Sequence, residues 1–99
     1  MSQSRAAYRV DSNQPAIVRA LRDIGASVTV TAGLGDGFPD ILCGYNGVNY
    51  LFEIKATKRS KLTEYERAWH DVWHGTVFIV TSPEQAIEIV RTNPHELQY

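Results

Sequence analysis

Asn46-Gly47 constrains this chain more than any other pair of residues. Both residue types accept positive φ, which a two-residue hairpin turn of type I′ requires, and both flanks have strand character. DILCGY precedes the turn and VNYLFEIK follows it. A turn this tight also fixes the register, so Tyr45 faces Val48 and each pair outward follows in step. The strand alternation then sorts the side chains. One face carries Ile41, Cys43, Tyr45, Val48, Tyr50, Phe52 and Ile54, a nearly unbroken apolar surface. On the other face Asp40 falls directly across from Glu53, their Cβ atoms about 4.5–5.5 Å apart. Lys55 shares that face.

The remaining chain supplies the layers around this hairpin. Asp11 or Ser12 is positioned to cap a helix that tolerates Pro15 in its first turn. Ile17, Ala20, Leu21 and Ile24 recur at helical spacing, and Gly25 supplies the stop. ASVTVTA alternates as a strand should. GLGDGFP is a loop without the dinucleotide-binding spacing. Its glycines suit either close approach of a phosphate to the backbone or simply a tight connection. Thr63 and Glu66 form a capping box for a second helix, which Gly75 ends. Its apolar stripe of Tyr65, Ala68, Trp69, Val72 and Trp73 is expected in the core rather than as a base-stacking platform. TVFIV reads as a buried strand. Ser82, Pro83 and Gln85 give another capping box, with proline at the first helical position, for a last helix that runs through Ala86, Ile87 and Val90 to about Arg91, before Asn93-Pro94 breaks it. The order is α-β-β-β-α-β-α, and a strand reached through a helix joins its sheet by a crossover, giving a mixed sheet flanked by helices.

Ninety-nine residues suit one domain, residues 1–99, rather than two. A single cysteine, Cys43, excludes a disulfide framework and a Cys-rich zinc site. No apolar run approaches membrane-spanning length, and MSQSRAAYR lacks a signal-peptide core, so the expectation is a reduced, cytoplasmic protein without a membrane partner. A formal net charge of −1 excludes a protein that coats nucleic acid indiscriminately. Distribution matters more than the total. KATKRSK gathers Lys55, Lys58, Arg59 and Lys61, four of the ten basic residues, in a window with no acid. That window is either a phosphate-contacting patch or a solvated loop. His70, His74 and His95 lack metal-ligand spacing and are expected on the surface or in a subunit contact.

Like charges directly opposed in a sheet are destabilising, and partly buried carboxylates cost more still without neutralisation. A hard divalent cation is one solution, since Mg²⁺ is commonly held by one or two carboxylates together with waters and phosphate oxygens. Lys55 alone, or water at open strand ends, are the others.

Pro39-Asp40 followed by Glu53-Ile54-Lys55 resembles the PD-(D/E)xK nuclease signature. From about residue 11 to residue 89 the chain more specifically resembles a stand-alone VRR-NUC domain. The shared features are the helix bearing Asn13-Gln14, the GFPDIL and FEIKA strands, and LTEYERAWH entering the second helix. The resemblance implies a restriction-endonuclease-like α/β core. It also implies that Asp40, Glu53 and the main-chain carbonyl of Ile54 hold Mg²⁺ or Mn²⁺. Lys55 is implied to orient or deprotonate the attacking water and to steady the phosphate. A lowered pKa suits the first role and a retained charge the second. Gln14 is the candidate polar residue of the first helix, with Asn13 second. Glu66 stands where that family often has glutamine, and is read here as a helix cap. Lys58, Arg59 and Lys61 follow the catalytic strand, beside the scissile phosphate. The implied function is a metal-dependent, structure-specific DNA endonuclease that resolves four-way (Holliday) junctions as a homodimer. A flap or nicking endonuclease of the same fold, a branched-DNA-binding module that does not cut, and a scaffold or inhibitor domain are the alternatives.

Overall fold

A computed structural model describes residues 11–92. Its centre is the hairpin. Strands β2 (Ile41–Tyr45) and β3 (Val48–Ile54) pair antiparallel from Tyr45↔Val48 to Ile41↔Phe52, the register that the tight turn demands. Asn46 and Gly47 both take positive φ, 51° and 78°, as a type I′ turn requires.

β1 (Ser27–Val30) adds antiparallel to β2, and β4 (Val77–Val80) adds parallel to β3, completing a mixed sheet in the order β1-β2-β3-β4. The parallel pairing follows from the crossover, which passes through a helix between β3 and β4. Helix α1 (Gln14–Asp23) precedes the sheet, α2 (Glu64–Val72) forms that crossover, and α3 (Pro83–Thr92) ends the described chain. A short 3₁₀ turn, Ala32–Leu34, leads into the loop before β2. The order is α-β-β-β-α-β-α, a restriction-endonuclease-like core. No helix among the described residues is long and apolar enough to cross a membrane.

α1 and α3 pack against each other and onto one face of the sheet. Ile17 and Leu21 of α1, Ala86 and Val90 of α3, and Ile41, Cys43, Tyr50, Phe52, Ile54 and Val80 of the sheet are all buried there. Each large apolar side chain removed from water contributes roughly 1.5–3 kcal/mol, so this single layer holds the fold together. Burial also pushes the Cys43 thiol up to about 11, which keeps it protonated and unreactive. Gly25, at φ 97°, lets the chain turn out of α1 into β1.

Several local expectations change. α1 begins at Gln14 with Asn13, not Asp11 or Ser12, at its cap position. Asn13 does not cap; its Nδ2 donates to the carbonyls of Lys55 (3.0 Å) and Thr81 (2.9 Å), tying the ends of β3 and β4 to the helix start. α3 shows half a capping box. Gln85 N–H donates to Ser82 Oγ, but Gln85 Oε1 turns to Thr81 instead.

The largest correction concerns α2. Its stripe of Tyr65, Ala68, Trp69, Val72 and Trp73 is not core, and no residue of the helix is fully buried. Tyr65 is 73% exposed and Val72 71%. Trp69 is half-buried against Phe38, with ring centroids 5.2 Å apart, and stacks on Trp73 at 4.6 Å. The physical reason is placement. α1 and α3 share the apolar face of the sheet, while among the described elements only α2 lies near the Glu53 end of the other. Leu42 and Ile79 on that face are correspondingly exposed. The predicted break at Asn93-Pro94 and His95 lie outside the described residues.

Candidate active site

The ladder between β2 and β3 stops at Ile41↔Phe52, so the direct Asp40–Glu53 pairing expected from the register is not formed; Asp40 steps out of register and meets β3 with different chemistry. Its N–H donates to the Phe52 carbonyl at 2.9 Å, and its Oδ2 accepts the Ile54 N–H at 2.7 Å. A carboxylate thus replaces a backbone carbonyl in satisfying β3, which fixes the Asp40 side chain against the strand carrying Glu53 and Lys55. Backbone N–H and C=O of one strand residue point the same way, so the Ile54 carbonyl is directed toward the Asp40 side as well.

Glu53 is 1% exposed, although it lies on the face away from the main core. Burial, the Asp40 charge and a hydrogen bond with Asp40 together push its carboxyl up to about 10. Burial raises Asp40 too, against the lowering effect of the Ile54 N–H and of Glu53. Without a cation, then, the pair retains a proton at neutral pH. This is the behaviour expected of two carboxyls too close to ionise together in a desolvated place.

Lys55 sits at the rim of the same site. Its Nζ donates to Glu66 Oε1 at 2.6 Å, and both side chains are mostly withdrawn from solvent. Burial works against the ammonium, but the Glu66 carboxylate outweighs it and holds Lys55 above the ordinary lysine value. Of the two states weighed for Lys55, the metal-free site therefore favours the retained charge over the lowered pKa of a base. Burial raises Glu66, and the bonds from Lys55 and from the Thr63 N–H outweigh that and lower it. The same Oε1 accepts Thr63 N–H at 2.9 Å while Glu66 N–H donates to Thr63 Oγ1 at 3.1 Å. Glu66 is accordingly both the helix cap expected and the anchor of Lys55.

His70 was not expected here. One turn along α2 from Glu66, its Nε2 lies 3.3 Å from Glu53 Oε1. Burial lowers its pKa, so the ring is neutral at pH 7. The i, i+4 spacing of Glu66 and His70 was the available signal, since it puts both on the helix face turned toward the dyad. What the sequence could not reveal was which face that is. His74 is exposed.

A cavity of about 590 Å³ opens over these groups, with Asp40, Glu53, Ile54, Lys55 and Glu66 among its walls. The loop at residues 35–38 and the start of α2 form its rim. The loop glycine closest to the helix is explained by packing. At Gly37, with φ 84°, an added Cβ would sit 2.2 Å from the Tyr65 carbonyl oxygen. That position serves a tight connection rather than an approach to phosphate. Asp36, at φ 57°, is a turn residue.

The remaining sequence candidates are placed as follows. Gln14 is 5% exposed and lines a second cavity of about 480 Å³ beside Val18, Arg22 and Val30, not the cavity holding the dyad. Among the described residues its Oε1 has no hydrogen-bond partner. Lys58, Arg59 and Lys61 are all exposed, on the segment that leaves β3 directly after Lys55. Among the described residues, no group of three or more His, Cys, Asp or Glu side chains is arranged to hold a metal ion. The donor set the site offers is smaller and entirely oxygen: two carboxyls and a directed carbonyl.

No protein-family profile matches the chain, and no curated protein matches it. A solved chain described as a VRR_NUC domain is similar in structure, with a TM-score of 0.62 and 19% sequence identity. The match covers 84% of this chain and 99% of that one. The likeness shows a shared fold.

Proposed function

We propose that this protein is a divalent-metal-dependent endonuclease that hydrolyses phosphodiester bonds in structured DNA. The observation that carries the reading is the Glu53–Asp40 pair: two interacting carboxyls, desolvated, in the wall of an open cavity, with an ammonium beside them. A fold does not retain such a pair for stability, because interacting buried acids weaken it. The all-oxygen donor set of Asp40, Glu53 and the Ile54 carbonyl suits Mg²⁺ or Mn²⁺, which need few protein ligands when waters and phosphate complete the shell. When bound, such an ion supplies a more acidic water and relieves charge on the phosphoryl oxygens.

The chain's own residues do the rest. Lys55, held charged by Glu66, steadies the phosphate electrostatically and orients its oxygens. His70 holds the Glu53 carboxyl in place. Gln14 acts through the first turn of α1, which Asn13 pins to the end of β3, without touching the reacting groups. Lys58, Arg59 and Lys61 grip phosphates flanking the cut, which gives affinity and register but no base sequence.

Four-way junctions are the proposed substrate and a homodimer the proposed form. Exposed Leu42, Val72, Trp73 and Ile79 on the α2 side suit burial against a second copy. A symmetric pair of active sites suits a branched duplex. The test incubates the protein with a labelled four-way junction and a matching linear duplex in EDTA, Mg²⁺ or Mn²⁺. Expected are paired, metal-dependent cuts at the junction that vanish in Asp40→Asn, while junction binding persists. Asparagine keeps an acceptor for the Ile54 N–H, so the variant folds. Absence of cleavage in every metal would leave DNA binding without catalysis, and equal cutting of both substrates would discard the junction.

A further inference from the structure

The cavity over the dyad is charged in one part of its wall and apolar at part of its rim. Tyr65 and Leu34, from two different elements, both line it. They are 73% and 63% exposed. A soluble domain rarely gains from placing an aromatic ring and a branched aliphatic chain at the mouth of a polar cleft, unless something apolar enters there. Among the described residues, the Tyr65 ring meets no other ring and its hydroxyl no hydrogen-bond partner. Its backbone is nonetheless well anchored. Tyr65 lies in the capped first turn of α2, between Glu64 and Glu66, and Gly37 packs against its carbonyl. The ring is therefore presented from a fixed position at little entropic cost, as an effective contact should be.

Charge and size identify the occupant. Phosphate belongs on the Lys55 side of the cavity, and the exposed Lys58, Arg59 and Lys61 follow Lys55 along the chain. The moiety attached to that phosphate that offers a flat apolar face is a nucleobase. A base within a duplex has both faces covered by its neighbours, so an aromatic rim gains nothing from intact double helix. A space of about 590 Å³ is of small-ligand rather than duplex size. Resting on the nuclease reading above, we infer that Tyr65, with Leu34 as a second wall, forms a stacking platform for a nucleobase unstacked beside the scissile phosphate. The strand that is cut is then single-stranded or frayed at the cut, as at a branch point, and plain duplex is excluded by the need to unstack.

The experiment measures binding in EDTA by fluorescence anisotropy. It compares an oligothymidine of about 12 nucleotides with an abasic strand of equal length, which carries the same phosphates and no bases. Wild-type protein is expected to prefer the oligothymidine by about 5- to 150-fold, the range for stacking one base on an aromatic side chain. Tyr65→Ala should bring the ratio close to unity, Tyr65→Phe should preserve it, and Leu34→Ala should reduce it partly. Lys58→Ala should weaken both ligands equally. An unchanged ratio in Tyr65→Ala, or no preference in the wild type, overturns the platform. So does a Tyr65→Ala variant whose sedimentation shows a changed oligomeric state, because the ring is then a subunit contact. Mn²⁺-dependent cleavage by the wild type is read separately. Cleavage without base preference removes only the platform, whereas base preference without cleavage removes the nuclease reading instead.

Discussion

Replacing Glu53 by Gln should stabilise the metal-free protein at alkaline pH while removing its response to metal. Glutamine keeps the shape of the side chain, can donate to Asp40 and can accept from His70. What it lacks is the charge that folding has to desolvate beside another acid. The Glu53 carboxyl is raised from 4.5 to about 10 in the folded state, so between those values the folded chain holds a proton that the unfolded chain has released. Stability therefore falls as pH rises through that interval, by at most about 1.4 kcal/mol per unit for one proton. Asp40 is raised as well and acts in the same direction. The useful window is pH 7 to 8.5. Below it His70 titrates, its pKa lowered by burial from 6.5, and above it the unfolded Cys43 thiol begins to ionise. Across the window the wild type should lose up to about 2 kcal/mol, or roughly 8–16 °C in Tm for a domain of this size. Glu53→Gln should be nearly flat. Thermal denaturation in EDTA measures this, and repetition in Mn²⁺ supplies the second half. The wild type should gain stability in Mn²⁺, more at pH 8.5 than at pH 7, because the ion displaces the shared proton. Glu53→Gln should gain none. A variant less stable than wild type at pH 8.5, or one with the wild-type pH slope, would refute the account of the dyad.

Two further outcomes test the supports of the site. His70→Ala should lower Mn²⁺ affinity about 10- to 100-fold, the usual effect of removing a group that orients a metal ligand, read as a displaced titration midpoint in the thermal assay. An unshifted midpoint would make the 3.3 Å contact incidental. Gly37→Ala combines a positive φ with a backbone collision at the Tyr65 carbonyl, so it should cost at least about 2 kcal/mol in urea denaturation. A loss below about 0.5 kcal/mol would mean that the loop moves away from α2 without difficulty.

The sequence determined the hairpin and everything that follows from its register. Asn46-Gly47 admits one tight turn, and a one-residue slip would turn the whole apolar set to the wrong face, so the gathering of Asp40 and Glu53 at one end of the hairpin was legible before any coordinates, though not the step out of register at Asp40. The capping box at Thr63 and Glu66 was legible for the same reason, being a local pattern with a local cause. Only the tertiary structure decided what lies across from those residues. The α2 stripe has the period of a core helix, yet periodicity describes a helix face and does not say whether another layer covers it. That depended on α1 and α3 sharing the opposite face of the sheet. His70 at Glu53, Glu66 at Lys55 and Asn13 at the ends of β3 and β4 join residues 17, 11, and 42 and 68 positions apart. No local rule speaks to such distances. The charge balance at Lys55 was equally out of reach of local rules, since a lysine's ionisation reflects burial and neighbours, and its Glu66 neighbour comes from another element.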